Sequence, residues 1–507
     1  MCAYSRPACL VLVSALFYLF AAPYSLHPAT PQQSEPLVRV ETQLVLVDVV
    51  ATDKKGAFVS GLSRESFSLK EEGKQQQIEF FSSSGERSRP APPPLPPHVF
   101  TNRPEYHPPE GPLTIVLLDS LNTPRTDQAY VRLEMLRFVA QWLQSGQRTA
   151  ILLLTDRLHV LQDFTIERRQ LLAAVEKFSP QQSAALGLRE AVLSRESRIE
   201  MESLLEQAAA TRSKALLRLI NSLRHFDEQV MVAADRQRAE RTLAALRVIA
   251  ESLAGYPGRK NLIWLSGAFP LGFRTSFRGD PQTSVNDEFV RTVRLLNDAR
   301  IAFFPVDPRG LTDATLPESY REHVLRQGIE NQSRPSSAYP SIREPAGASP
   351  RDPRYYLVAS QQAMKELAAG TGGRAFYNRN DVGLAVAHAI EEGSSYYTLG
   401  YYPGADSRAE GFRGIEVKGP KGVELRHRRG YFRRPPPADL SQQPQEPNPQ
   451  LLLAILHDPL PATSLTFRVT LQPPASASEQ AIVETWIDST SFTQLVDPHF
   501  SRLDLQL

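Results

Sequence analysis

After Leu113 the chain runs again and again through uninterrupted apolar stretches: LTIVLLD, TAILLLTD, NLIWLSGAF and ARIAFFPVD. A strand covered on both faces reads as a continuous apolar run, whereas a half-exposed strand alternates. Between these runs lie segments with apolar residues at helical spacing, such as QAYVRLEMLRFVAQWLQ (128–144) and RRQLLAAVEKF. HVLQDF reads as a short edge strand and GGRAFYN (372–378) as a further strand, with helices over 286–298, 356–369 and 381–392. Buried strands alternating with helices predict an α/β fold, doubly wound around a mostly parallel, Rossmann-like sheet, over residues 113–394.

The pattern differs on either side. Residues 35–83 alternate apolar and polar side chains, as in VRVETQLVLVDVVATD, and form an N-terminal β-module. Period two returns at 395–434, in SYYTLGYYP and GVELRHRRGYF. Neither set has enough strands for a core of its own, so the two are expected to pack as one accessory β-sandwich with the α/β domain inserted between them. Residues 84–112, with RPAPPPLPPH, read as a semi-rigid proline-rich linker, and 435–450 as a second linker. A C-terminal β-region, 451–507, stops mid-pattern at LDLQL and reads as incomplete. Inside the α/β domain, 180–256 holds a long proline-free helical stretch, far longer than a crossover needs. It predicts a protruding hairpin or paired-helix insertion whose last helix returns to the sheet. Residues 308–353, rich in Ser, Pro and Arg, read as a mobile loop.

The first 34 residues place Arg6 before the apolar run CLVLVSALFYLFAA, the pattern of a secretory signal peptide, with an uncleaved membrane anchor as the alternative. Both cysteines, Cys2 and Cys9, fall inside this segment, so the mature chain has no disulfide, cysteine zinc site or cysteine nucleophile. The destination expected is the medium, the periplasm or the cell envelope. A formal charge of +2 argues against a nucleic-acid partner. The partner expected is an extracytoplasmic protein, with membrane contact only if the signal segment is retained. Several short signals have plain structural readings. Gly370–Gly373 closes a helix instead of opening one, RHRRGYFRR suits a solvated strand edge, and Arg278-Gly279-Asp280 is one tripeptide in 507 residues.

The run TIVLLDSLNT carries the most chemistry. A buried strand ends in Asp119, followed by Ser120, Asn122 and Thr123, a common way to set oxygen ligands at a sheet mouth. This loop, the strand–helix alternation around it, and the ordered segments VVATDKKGAFVSGLSRESFSLKEEGKQQQIEFF, LLDSLNT, FFPVDPRGL, ELAAGTGGRAFYN and YYTLGYYP resemble the von Willebrand factor A (VWA) family. They are most similar to secreted VWA-related proteins typical of acidobacteria. The resemblance implies a metal-ion-dependent adhesion site holding Mg²⁺ or Mn²⁺, of the form D-x-S-x-S plus a later Thr and Asp. Asp119 matches the first Asp, Thr123 the last hydroxyl and Thr165 the later Thr. Leu121 replaces the middle Ser, and Ser266-Gly267-Ala268 lacks the later Asp, so the site is degenerate and any ion weakly held. Two readings stay open: a weak ion site, or a loop in which Asp119 bonds backbone amides. Asn122, Asp156, Ser266 and Asp307 complete the sheet edge expected to face a partner. The functional expectation is a non-enzymatic, adhesion-type binding protein. The alternatives are an envelope scaffold self-associating through the helical insertion, and a hydrolase using carboxylates at the sheet edge.

Overall fold

The computed structural model describes residues 44–84, 93–103, 106, 112–143, 146–269, 285–310, 353–404, 411–433, 460, 466–472 and 482–487. The signal segment, the 308–353 loop beyond Gly310, the linker 435–450 and the Arg278-Gly279-Asp280 tripeptide lie outside the described residues.

The chain first lays down β1 (Val45–Thr52), β2 (Ser68–Glu71), β3 (Lys74–Gln76), β4 (Phe80–Ser83) and β5 (Val99–Thr101). The α/β domain follows with β6 (Thr114–Asp119), α1 (Arg125–Gln141), β7 (Thr149–Leu154), β8 (Leu158–Thr165) and α2 (Arg168–Lys177). Helices α3 (Ala184–Val192), α4 (Arg195–Thr211) and α5 (Lys214–Leu253) form the insertion. Then come β9 (Lys260–Leu265), α6 (Val285–Asp298), β10 (Ile301–Val306), α7 (Pro353–Thr371) and α8 (Val382–Ser394). The closing strands are β11 (Tyr397–Tyr401), β12 (Gly411–Lys418), β13 (Glu424–Arg426), β14 (Gly430–Arg433), β15 (Phe467–Gln472) and β16 (Ile482–Ile487).

The central sheet has the order β10-β9-β6-β7-β8, parallel except for the antiparallel edge strand β8. All six residues of β6, β7, β9 and β10 are buried, which is why these strands read as unbroken apolar runs. Along β6 the pleat sends Ile115 and Leu117 to one face and Val116 and Leu118 to the other. The first face is covered by the carboxyl half of α5 together with α6 and α7, the second by α1, α2 and α8. Residues 372–378 form no full strand; a single parallel bridge, Val306 to Phe376, extends the sheet. There the backbone passes so close to β10 that a Cβ on Gly373 would lie 2.0 Å from the Phe303 carbonyl oxygen.

Two four-stranded sheets, β13-β1-β11-β4 and β14-β12-β2-β3, interleave the strands before the α/β domain with those after it. Thus β1 pairs antiparallel with β11, β11 with β4, and β12 with β2. Their shared core centres on Tyr397, whose ring stacks on Phe58 and Phe81 and whose hydroxyl donates to the Val59 carbonyl at 2.8 Å. The proline-rich stretch is not purely a linker: Val99–Thr101 is a strand and joins the third sheet, β16-β15-β5. Proline at 96 and 97 stops short of it, leaving the amides of 99–101 free to pair. Among the described residues, no helix is long and apolar enough to cross a membrane.

Candidate functional site

Parallel pairing sets the ends of β6, β7, β9 and β10 along one edge, where Asp119, Asp156, Ser266 and Asp307 fall. Asp119 is 2% exposed and accepts four hydrogen bonds. Its Oδ1 takes the backbone N–H groups of Leu121 and Asn122, each at 2.9 Å. Its Oδ2 takes Asn122 Nδ2 at 2.8 Å and Ser266 Oγ at 2.7 Å. Burial pushes the Asp119 carboxyl above its ordinary value, opposed by these bonds from Asn122 and Ser266 and by the charge of Arg238.

The neighbouring polar groups are committed in the same way. Asn122 Nδ2 also reaches Thr242 Oγ1 on α5 at 2.9 Å, so the loop is tied to the helical insertion. Thr123 Oγ1 accepts the Gly267 N–H at 2.9 Å and holds the β6 loop against the β9 loop. Gln128, in the first turn of α1, donates to the Thr123 and Gln181 carbonyls at 2.7 and 2.8 Å. It also accepts Ser120 Oγ at 2.9 Å. Beneath Thr242, Asp235 bridges Arg189 on α3 and Arg238 on α5, at 2.7 and 2.5 Å, with all three residues buried.

A Mg²⁺ ion wants near-octahedral oxygen coordination, and these residues do not fit it. Both carboxylate oxygens of Asp119 already face two donors each. Leu121 packs in the apolar core beneath the loop. Asn122 Oδ1 is the one buried oxygen of the loop without a hydrogen-bond partner among the described residues, and one amide oxygen is no octahedral set. The reading in which Asp119 bonds backbone amides therefore describes this geometry, and the reading as an ion ligand with Thr123 does not.

Thr165 lies elsewhere. Because β8 runs antiparallel, Thr165 pairs with Thr149 at the start of β7, whereas Asp119 pairs with Leu154 at its end. Five residues of strand, about 17 Å, separate the two edges. The structure therefore does not bring Thr165 to Asp119. The segment that does reach this edge is Gln181, after α2.

The edge offers a partner less than its sequence suggests. Asn122, Ser266 and Asp307 are buried, and Asp307 is held in a fork by Arg309 at 2.8 and 2.7 Å. Small polar side chains at these strand ends turn inward to satisfy loop amides instead of outward. Asp156 is exposed, and the adjacent Thr155 hydroxyl, its main hydrogen-bond donor, holds its carboxyl below the ordinary value.

No family model and no curated protein matches this chain. Solved structures do. An aerotolerance-related membrane protein from Bacteroides fragilis is matched over 56% of this chain and 100% of its own, at 12% identity and a TM-score of 0.28. BatB from Bacteroides thetaiotaomicron is matched over 56% and 98%, at 12% identity and a TM-score of 0.23. The vWF domain of the type V pili tip protein Mfa5 from Porphyromonas gingivalis is matched over 16% and 32%, at 20% identity and a TM-score of 0.13. At such identities and TM-scores these likenesses carry no argument, and the fold rests on the parallel α/β sheet with its antiparallel edge strand.

Proposed function

We propose that this chain is an exported, non-enzymatic protein-binding scaffold of the cell envelope or its surroundings, and that its helical insertion carries the contact surface. One observation supports this most directly. Leu219, Leu223 and Phe226 recur along the amino half of α5 at spacings of four and three, which makes them one stripe. They are 51%, 38% and 62% exposed. Ile220, about a quarter-turn round the helix from this stripe, is fully buried, so the helix is anchored on that side while the stripe stays exposed. Ile199 on α4 and Leu217 on α5 are exposed as well. Grouped large apolar side chains at the surface mark interaction sites, whereas single ones do not. The sheet-edge carboxylates support a hydrolase poorly, since Asp119 and Asp307 are buried and already bonded.

A photoreactive residue at position 223 of the full chain tests the proposal in intact envelopes, with the same residue at exposed position 418 as control. A discrete protein adduct is expected at 223 only. No adduct, or the same adducts from both positions, would sink the reading. Sedimentation of the purified chain against concentration separates a foreign partner from a second copy.

A further inference from the structure

We propose that the seam between the α/β sheet and the β-sandwich binds one small monovalent anion of chloride size, held by Arg259 and Arg428. At the amino edge of the parallel sheet, Arg259 and Arg300 stand just before β9 and β10. They meet Leu46 and Asp48 of β1 and Arg428 from the turn between β13 and β14. Together these residues line a cleft of about 20 Å³.

The charges there do not balance. Asp48 is the one carboxylate lining the cleft, and it is engaged by Arg300 through both Nε and Nη2, with Thr398 Oγ1 adding a bond at 2.8 Å. Arg259 and Arg428 hydrogen-bond to neutral partners and feel the Asp48 charge only through space. Arg259, 3% exposed, donates from Nη2 to the Gly372 carbonyl at 2.9 Å. Arg428 donates from Nη2 to the Leu46 carbonyl at 2.9 Å. The two guanidiniums stack on Tyr396 and Tyr431, 5.6 and 5.7 Å from the ring centres. The Nε–H of each is buried and has no hydrogen-bond partner among the described residues. Asp298 acts on Arg428 only from an exposed position, where solvent screens it.

A guanidinium does not shed its proton in a protein, so three of them against one carboxylate leave a partly buried excess of positive charge. Buried charge without a partner is strongly disfavoured, and a monovalent anion accepting the two orphaned Nε–H groups satisfies both donors and halves the excess charge. The cleft has room for one particle of about water size. A monatomic anion fits whole in that space, whereas a phosphate or carboxylate does not.

Bromide replaces chloride and scatters anomalously. Crystals grown in sodium bromide should show one anomalous peak between Arg259 and Arg428; a site without that peak, filled by water, overturns the proposal. In solution the full chain should melt about 2 °C higher in about 0.1 M chloride than in gluconate of equal ionic strength. Arg428→Gln should abolish that difference. Equal melting of the unmodified chain in the two salts would refute the site even if the variant fails to fold.

Discussion

Asp119→Ala separates an internally bonded loop from an ion site. The substitution removes four accepted hydrogen bonds from a carboxylate that is 2% exposed. Both side-chain donors have somewhere else to go: Ser266 Oγ lies 2.8 Å from the Ala268 carbonyl, and Asn122 Nδ2 keeps Thr242. The Leu121 N–H keeps the Leu154 carbonyl at 3.2 Å, whereas no second acceptor is seen for the Asn122 N–H among the described residues. With one buried donor left unpaired, the variant should lose about 1–3 kcal/mol. Urea unfolding followed by circular dichroism, with and without Mg²⁺, measures it. The loss should be the same in both conditions. A loss below about 1 kcal/mol, or a midpoint that rises with Mg²⁺ in the unmodified chain but not in the variant, would refute the reasoning. The pH dependence has a definite sign. The folded chain binds the Asp119 proton more tightly than the unfolded chain does, because burial raises this carboxyl. Its contribution to stability therefore falls as pH rises from the ordinary carboxylate value through the raised one, and Asp119→Asn should remove that fall.

Other perturbations address the remaining parts of the fold. Asp235→Ala removes the buried carboxylate that both Arg189 and Arg238 engage and should destabilise the chain by about 3–5 kcal/mol, read from the urea midpoint. Retention of the full midpoint would mean the insertion is not held down by this bridge. Gly373→Ala puts a Cβ 2.0 Å from the Phe303 carbonyl oxygen, so β10 must shift. A loss of at least about 1–3 kcal/mol in thermal melting is expected. Lys260 is buried, and burial, with the charge of Arg300, lowers its ammonium to about 7. Between that value and the ordinary one for lysine the unfolded chain binds more protons, so stability should rise with pH across this window. Lys260→Met should flatten the rise; an unchanged pH profile in the variant would show that another group titrates there.

The central sheet was legible because burial on both faces writes itself as unbroken apolar runs, and no other short pattern does so in series with helical periods. Strand direction was not written that way. HVLQDF has the same composition whichever way it runs, and that direction decides whether Thr165 stands at the Asp119 edge or at the opposite one. A signal did exist: only residues 155–157 separate β7 from β8. Three residues allow a hairpin, whereas a parallel crossover needs a dozen or more. The strand at Val99–Thr101 was hidden by the prolines around it, since composition describes a segment and pairing depends on its individual amides. Most of the candidate site could not be read locally at all. Asn122 bonds Thr242 across 120 positions and Ser266 bonds Asp119 across 147.

Those long-range bonds also explain how the loop after β6 is held by its own side chains at a stable sheet edge. In a loop built for an ion, the carboxylate and hydroxyl oxygens turn outward and the cation holds them in place. Here Ser266 donates to Asp119 and turns that carboxylate inward. The space above is closed by α5 through Thr242, with the positive charge of Arg238 close enough to favour the Asp119 anion. The helix that closes the edge is the same helix that carries the exposed stripe: α5 runs 40 residues, about 60 Å, from Lys214 to Leu253. Phe226 and Thr242 lie 16 residues apart on it, about 24 Å along the axis. Its carboxyl half is core and its amino half is surface, so the contacts that hold the Asp119 loop are also those that fix where the stripe stands.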